Sequence, residues 1–78
     1  KVTKTRIYPV PTNSELTIES LTNEILSDVE ILDAFGRVVL LVPSTGITKQ
    51  TVHVGMLSPG TYVVFVKDGE KLRFMVSH

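Results

Sequence analysis

Turn signals, most of them built on proline and glycine, separate short stretches of this sequence in which the apolar residues alternate with period two. The breaks fall at Pro9 with Pro11, at Gly36, at Pro43 with Gly46, at Pro59 with Gly60, and at Gly69. Proline lacks the N–H that a ladder or helix interior needs and holds the residue before it extended, whereas glycine takes the positive φ that tight turns demand. No stretch holds a helical period over three turns, so the chain is expected to be strand and loop throughout.

The first strand is expected over Val2 to Tyr8, and Thr12-Asn13-Ser14 then supplies turn chemistry. In Glu15 to Ser20, Leu16 and Ile18 share one face while Thr17 and Glu19 share the other, which gives a strand with one solvated side. Leu21 to Ser27 stays open: Leu21, Ile25 and Leu26 fit one helical turn or an irregular strand, and strand with loop is preferred. Asp28 to Asp33 turns Val29 and Ile31 inward, and Ala34-Phe35-Gly36-Arg37 makes a tight connection around Gly36. Arg37 to Val42 carries a continuous apolar run, which predicts burial on both faces or a central place in a sheet. Ile47 to Val54 follows, then a type I or II turn in Leu57-Ser58-Pro59-Gly60, then Thr61 to Lys67. Asp68-Gly69 predicts a primed turn that pairs Thr61–Lys67 antiparallel with Lys71–Ser77. Six to seven short strands of this kind point to an immunoglobulin-like β-sandwich, all-β and antiparallel, with a small barrel as the alternative.

With 78 residues the chain is one domain, and a domain of that length buries only roughly 60–65% of its unfolded surface. It has no cysteine, hence no disulfide and no thiolate metal cage, so its 42% apolar share must build the core unaided. Tyr8, Phe35, Tyr62, Phe65 and Phe74 are therefore assigned to core packing in preference to a sugar-stacking platform. Eight basic against eight acidic residues argue against nucleic acid or an anionic membrane as the main partner. The longest apolar run, Val38 to Pro43, is about a third of what a membrane-spanning helix needs. No basic and apolar leader precedes the first strand, and the chain is expected to be a piece of a longer protein.

Catalysis needs a nucleophile with a base, a carboxylate pair or a metal, and the residues for each are scarce here. His53 alternates with Val52 and Val54 and should point outward from a strand, while His78 is the last residue. Neither H-x-E nor H-x-x-H spacing occurs, so no zinc site is expected. Asp28, Glu30 and Asp33 form the densest acidic cluster; calcium accepts such ligands, but Asp28 and Glu30 on one strand face read more simply as a solvated side. Gly36-Arg37 and Asp68-Gly69-Glu70-Lys71 lack the several glycines of a phosphate loop and read as hairpin turns. No catalytic, cofactor or metal residue is assigned, and no enzyme activity is expected.

Taken together, Ile7-Tyr8-Pro9-Val10-Pro11-Thr12-Asn13, then Leu16-Thr17-Ile18-Glu19, then Val29-Glu30-Ile31-Leu32-Asp33 with Gly36-Arg37-Val38-Val39 form a pattern. It resembles the start and middle of the C-terminal sorting domain of type IX (Por) secretion substrates. Leu57-Ser58-Pro59-Gly60-Thr61-Tyr62-Val63-Val64 is similar to that family's Leu-x-x-Gly-x-Tyr element. Val66-Lys67-Asp68-Gly69 with Lys71-x-x-Phe74-x-Val76 is similar to its closing hairpin. Val10 stands where the family usually has Asn, and Ser77-His78 where a basic residue is common.

The resemblance implies an immunoglobulin-like sandwich at the end of an exported Gram-negative protein. It implies transit through the periplasm and delivery to the cell surface or medium. It further implies recognition by the outer-membrane secretion machinery and removal by a sortase-like peptidase, which often attaches the cargo to lipopolysaccharide. Lys71, Leu72, Arg73, Phe74, Met75 and Val76 match the terminal strand read by that machinery, and Tyr8, Pro9 and Pro11 match the opening motif. Gly36, Arg37, Gly60, Tyr62, Asp68 and Gly69 match the structural positions. An edge strand offers unpaired N–H and C=O groups to a partner, here with Lys71 and Arg73 on one face and Leu72, Phe74 and Val76 on the other. The simpler account is an edge guarded by its charges. An open edge also allows a homodimer. The second functional reading is a carbohydrate-binding, fibronectin-like or spacer module of an exported enzyme or adhesin.

Overall fold

A computed structural model describes residues 4–67 and 69–77. The described residues form seven strands and no helix: β1 (Thr5–Tyr8), β2 (Glu15–Ser20), β3 (Val29–Leu32), β4 (Val38–Val42), β5 (Lys49–His53), β6 (Gly60–Val66) and β7 (Lys71–Val76). They make two separate antiparallel sheets, β1-β2-β5 and β4-β3-β6-β7, and therefore a sandwich rather than a barrel. The expected strand at Val2 starts at Thr5 among the described residues; Val2, like Asp68 and His78, lies outside them.

Alternation explains which side of each sheet faces inward. Leu16, Ile18 and Val52 of the smaller sheet meet Val29, Ile31, Val64, Val66, Phe74 and Val76 of the larger one, all buried. Leu26, Val54 and Leu57 from the connections close the core between them. Tyr62 lies opposite Phe74 in the β6–β7 ladder, with ring centroids 5.7 Å apart and planes inclined by 27°. Removing Phe74, which is wholly buried, would leave a cavity that a core this small cannot refill.

Four expectations are corrected by the fold. β4 is an edge strand rather than a central one, and Val38, Val39 and Leu41 are exposed on it, Leu41 by 69%. Its run is apolar because both faces of its own sheet are apolar, not because neighbours cover both sides. The outward row Leu41, Glu30, Phe65, Lys71 and the parallel row of Leu32, Val63, Arg73 contain four large apolar residues. The matching face of the smaller sheet is polar, with Arg6, Glu19, Lys49, Thr17, Thr51 and His53.

Second, the five aromatics do not all enter the core. Tyr62 and Phe74 do, Tyr8 and Phe65 are half-buried, and Phe35 is 83% exposed at the tip of the β3–β4 connection. Third, residues 21–28 carry no strand, and only Leu26 of that segment is buried. Fourth, the β6–β7 connection is not a primed turn. Val66 N–H donates to Glu70 O at 2.8 Å and Gly69 N–H to Val66 O at 2.8 Å, so Glu70 pairs with Val66 rather than with Lys67, as a two-residue turn would require; Asp68 itself lies outside the described residues. The β3–β4 loop has the same wiring, with Asp33 N–H to Arg37 O and Gly36 N–H to Asp33 O. Each needs a residue at positive φ in its last place, and Gly36 (84°) and Gly69 (107°) supply it.

A candidate recognition edge

β7 is the outermost strand of the larger sheet, paired with β6 on one side only. Along it Lys71, Arg73 and Met75 are exposed, Leu72 is half-buried, and Phe74 and Val76 are buried. The two faces expected for this strand are therefore present. Lys71 rests its ammonium 5.7 Å from the centre of the Phe65 ring, directly across the ladder.

The backbone of β7 divides its hydrogen bonds by the same alternation. Met75 C=O accepts from Thr12 N–H at 2.9 Å and Ser77 N–H donates to Thr12 O at 2.8 Å, both on the side away from β6. By that parity Lys71 and Arg73 turn their N–H and C=O groups to the same outer side, where no strand of the described residues pairs with them. The edge is thus closed at its Val76 end by a single parallel bridge to Thr12 and open along Lys71–Arg73.

Thr12 reaches that place through the opening loop. Tyr8 ends β1, the Tyr8–Pro9 and Val10–Pro11 peptides are both cis, and the Thr12 hydroxyl donates to Glu15 O at the start of β2. Tyr8 itself faces the polar side of the smaller sheet: its hydroxyl donates to Glu19 at 3.2 Å and Arg6 stacks over its ring at 5.0 Å. Arg6 also donates to Glu19 at 2.9 Å, and this hydrogen bond is the main cause that holds the Glu19 carboxyl below its ordinary range. The fold so brings the opening motif, through Thr12, to the end of the closing strand. Sequence reasoning read Thr12 only as turn chemistry; its role in the bridge has no local signal.

The remaining described motif residues lie at the start of β6 and in the two hairpin loops. Tyr62 donates its hydroxyl to Ser58 O at 2.6 Å, four residues upstream, which ties the Leu57–Gly60 turn to the start of β6. Gly60 sits at φ 154° there. Gly36 and Arg37 lie at the other edge, in the β3–β4 loop, and are not brought to β7. Asp33 organises that loop: its carboxylate accepts from Phe35 N–H (2.9 Å), Arg37 N–H (3.0 Å) and the Arg37 guanidinium (2.8 Å). Donation from the Arg37 N–H is the leading cause that keeps this carboxyl below the usual range. Glu70, buried at the start of β7, accepts from Lys4 N–H at 3.1 Å.

The acidic cluster is dispersed by these tasks. Asp28 accepts from Ser44 N–H at 2.7 Å, Glu30 stands on the outer sheet face and Asp33 serves its loop; among the described residues no three metal-ligating side chains converge. His53 is exposed, with Nδ1 3.5 Å from the Glu15 carboxylate.

No curated protein and no solved structure matches the chain significantly. The family model of the secretion system C-terminal sorting domain matches it over residues 6–76, from β1 to the last residue of β7. That span includes both the opening loop and the bridged edge it reaches, and the chain belongs to this family of C-terminal sorting signals for type IX secretion.

Proposed function

We propose that the open side of β7 is the part of this signal that the outer-membrane secretion machinery reads, by adding a strand along Lys71 and Arg73, ahead of the Thr12 bridge. The observation that carries the reading is the coincidence, on one short edge, of two exposed cations and backbone groups that no described residue pairs with. Main-chain bonds supply affinity for any extended partner, and Lys71 and Arg73 select one with acidic side chains in alternate places. Leu72, Phe74 and Val76 act from below: they anchor the strand in the core so that its upper face is presented in fixed register. Tyr8, Pro9 and Pro11 contribute by delivering Thr12, which limits the readable stretch to the part before Val76.

Family membership carries export to the cell surface or the extracellular space, and domains of this kind are generally non-catalytic. In our reading the domain has no activity of its own, its cargo passes through the periplasm, and a sortase-like peptidase separates the two at the surface. An open edge also suits association with a second copy of the chain.

The test is a periplasmic reporter fused ahead of residues 1–78 in a type IX-competent strain. Surface delivery is expected for the native sequence and its loss for the double variant Lys71→Glu with Arg73→Glu, whose circular dichroism should match the native domain. Unchanged delivery of that folded variant would overturn the assignment of β7.

A further inference from the structure

The two edges of the larger sheet are not alike. β7 is guarded by Lys71, Arg73 and its bridge to Thr12, whereas β4 reads Val38-Val39-Leu40-Leu41-Val42 without a charge or proline inside it. Exposed edges of this kind are normally blunted, and the irregular register at Ile31/Leu32 is the only blunting device β4 shows among the described residues. Something is expected to pair with it.

The surroundings of β4 specify what. At its Val42 end the outer face holds a hollow of about 490 Å³, bordered by Leu41, Pro43 and Phe65 on the apolar side and by Asp28, Glu30 and Lys67 on the charged side. At its Val38 end stands the β3–β4 loop, with Phe35 83% exposed and the Arg37 guanidinium 5.4 Å from its ring centre. One end of the strand thus carries an apolar ring beside the Asp33-paired Arg37 guanidinium, and the other an apolar hollow rimmed by two carboxylates and the Lys67 ammonium. Glu30 has no side-chain hydrogen bond among the described residues, and Asp28 uses one oxygen for Ser44.

We propose that a second copy of this chain occupies the β4 edge, related by a two-fold axis through Leu40. Antiparallel pairing about that axis sets Leu40 opposite itself, Val39 opposite Leu41 and Val38 opposite Val42. It extends Arg37 of each copy alongside Pro43 of the other, and so brings each Phe35 loop to the mouth of the other copy's hollow. The complementarity is reciprocal, as an isologous contact requires. The Leu41 N–H and C=O, which the ladder turns away from β3, gain partners, and the apolar outer rows of the two sheets become continuous. A five-residue edge alone falls well short of the roughly 1,200–2,000 Å² of a standard interface, so the two Phe35 contacts are needed to make the dimer stable. This proposal rests on the open-edge reading above only for its mention of a second copy; it leaves β7 free and is independent of sorting.

Sedimentation velocity of the purified chain over a range of concentrations should show a monomer–dimer equilibrium. Leu41→Lys should abolish the dimer with an unchanged circular dichroism spectrum, and Phe35→Ala should weaken it by about tenfold or more, the size of one lost aromatic anchor. Because the chain has no cysteine, Val39→Cys and Leu41→Cys chains can be mixed under oxidation, and the mixed disulfide should form in preference to either like pair. A chain that stays monomeric throughout, a dimer indifferent to Leu41→Lys, or like-pair disulfides in excess would each overturn the proposal. Leu41→Lys should also leave reporter export intact. Unchanged export of the folded Lys71→Glu, Arg73→Glu chain would instead count against the β7 reading and leave the dimer untouched.

Discussion

Asp33 shows how much one side chain can decide. Its carboxylate gathers two backbone N–H groups and a guanidinium, and all three favour the ionised form, so its folded pKa lies below the ordinary 3.8. A depressed carboxyl adds stability that is complete above its unfolded pKa and is lost as the pH falls through the folded value. Glu19, held down chiefly by Arg6, behaves alike. Urea midpoints should therefore drop from about pH 5 downward, and Asp33→Asn should flatten that limb while lowering the midpoint at neutral pH. Gly36→Ala is the companion test of the same loop: at φ 84° a Cβ is strained by about 1–2 kcal/mol, although nothing lies within 4 Å of it. Tyr62→Phe, which removes the donor to Ser58, should cost about 0.5–1.5 kcal/mol by denaturant titration.

Elements explain why some expectations were legible and others were not. β2, β6 and β7 could be read directly, because strict alternation leaves one pairing face and a one-residue slip would bury Glu19 or Arg73. The sandwich followed from them and from the turns. β4 could not be read, since an apolar run looks the same in the middle of a sheet and at an edge whose own outer face is apolar. The hairpin at Gly69 was visible but its loop length was not: glycine at positive φ serves the two-residue and the three-residue connection equally. The edge position of β7 was expected, yet its closure by Thr12 was invisible, because that pair is distant in sequence and made by backbone atoms that any residue but proline supplies. Thr12→Pro deletes the N–H given to Met75 O but keeps the carbonyl that accepts from Ser77; with half of the bridge gone the Val76 end of β7 should loosen and amide hydrogen exchange at Ser77 rise, with the exchange of Val64 and the rest of β6 unchanged.

The whole molecule has little stability to lose. A chain of 78 residues is worth about 4–12 kcal/mol in total, and Phe74→Ala, which empties the centre of the larger sheet, should cost about 3–5 kcal/mol of that. Calorimetry should find this variant melted or close to it at physiological temperature. A reporter carrying it should fail to reach the surface if a folded edge is what the secretion machinery binds; normal delivery would mean that the unfolded stretch Lys71–Val76 suffices. The bridge from Thr12 to β7 bears on how that edge comes into being. It joins the loop after the first strand to the last strand, and β3 must find β6 across the intervening β4 and β5, so the order of contacts is strongly non-local. Loops that long are closed late and together, after their entropy has been overcome by the core as a unit. A partly assembled domain therefore has no finished β7 to offer, and transport competence should switch on in a single kinetic step with folding itself.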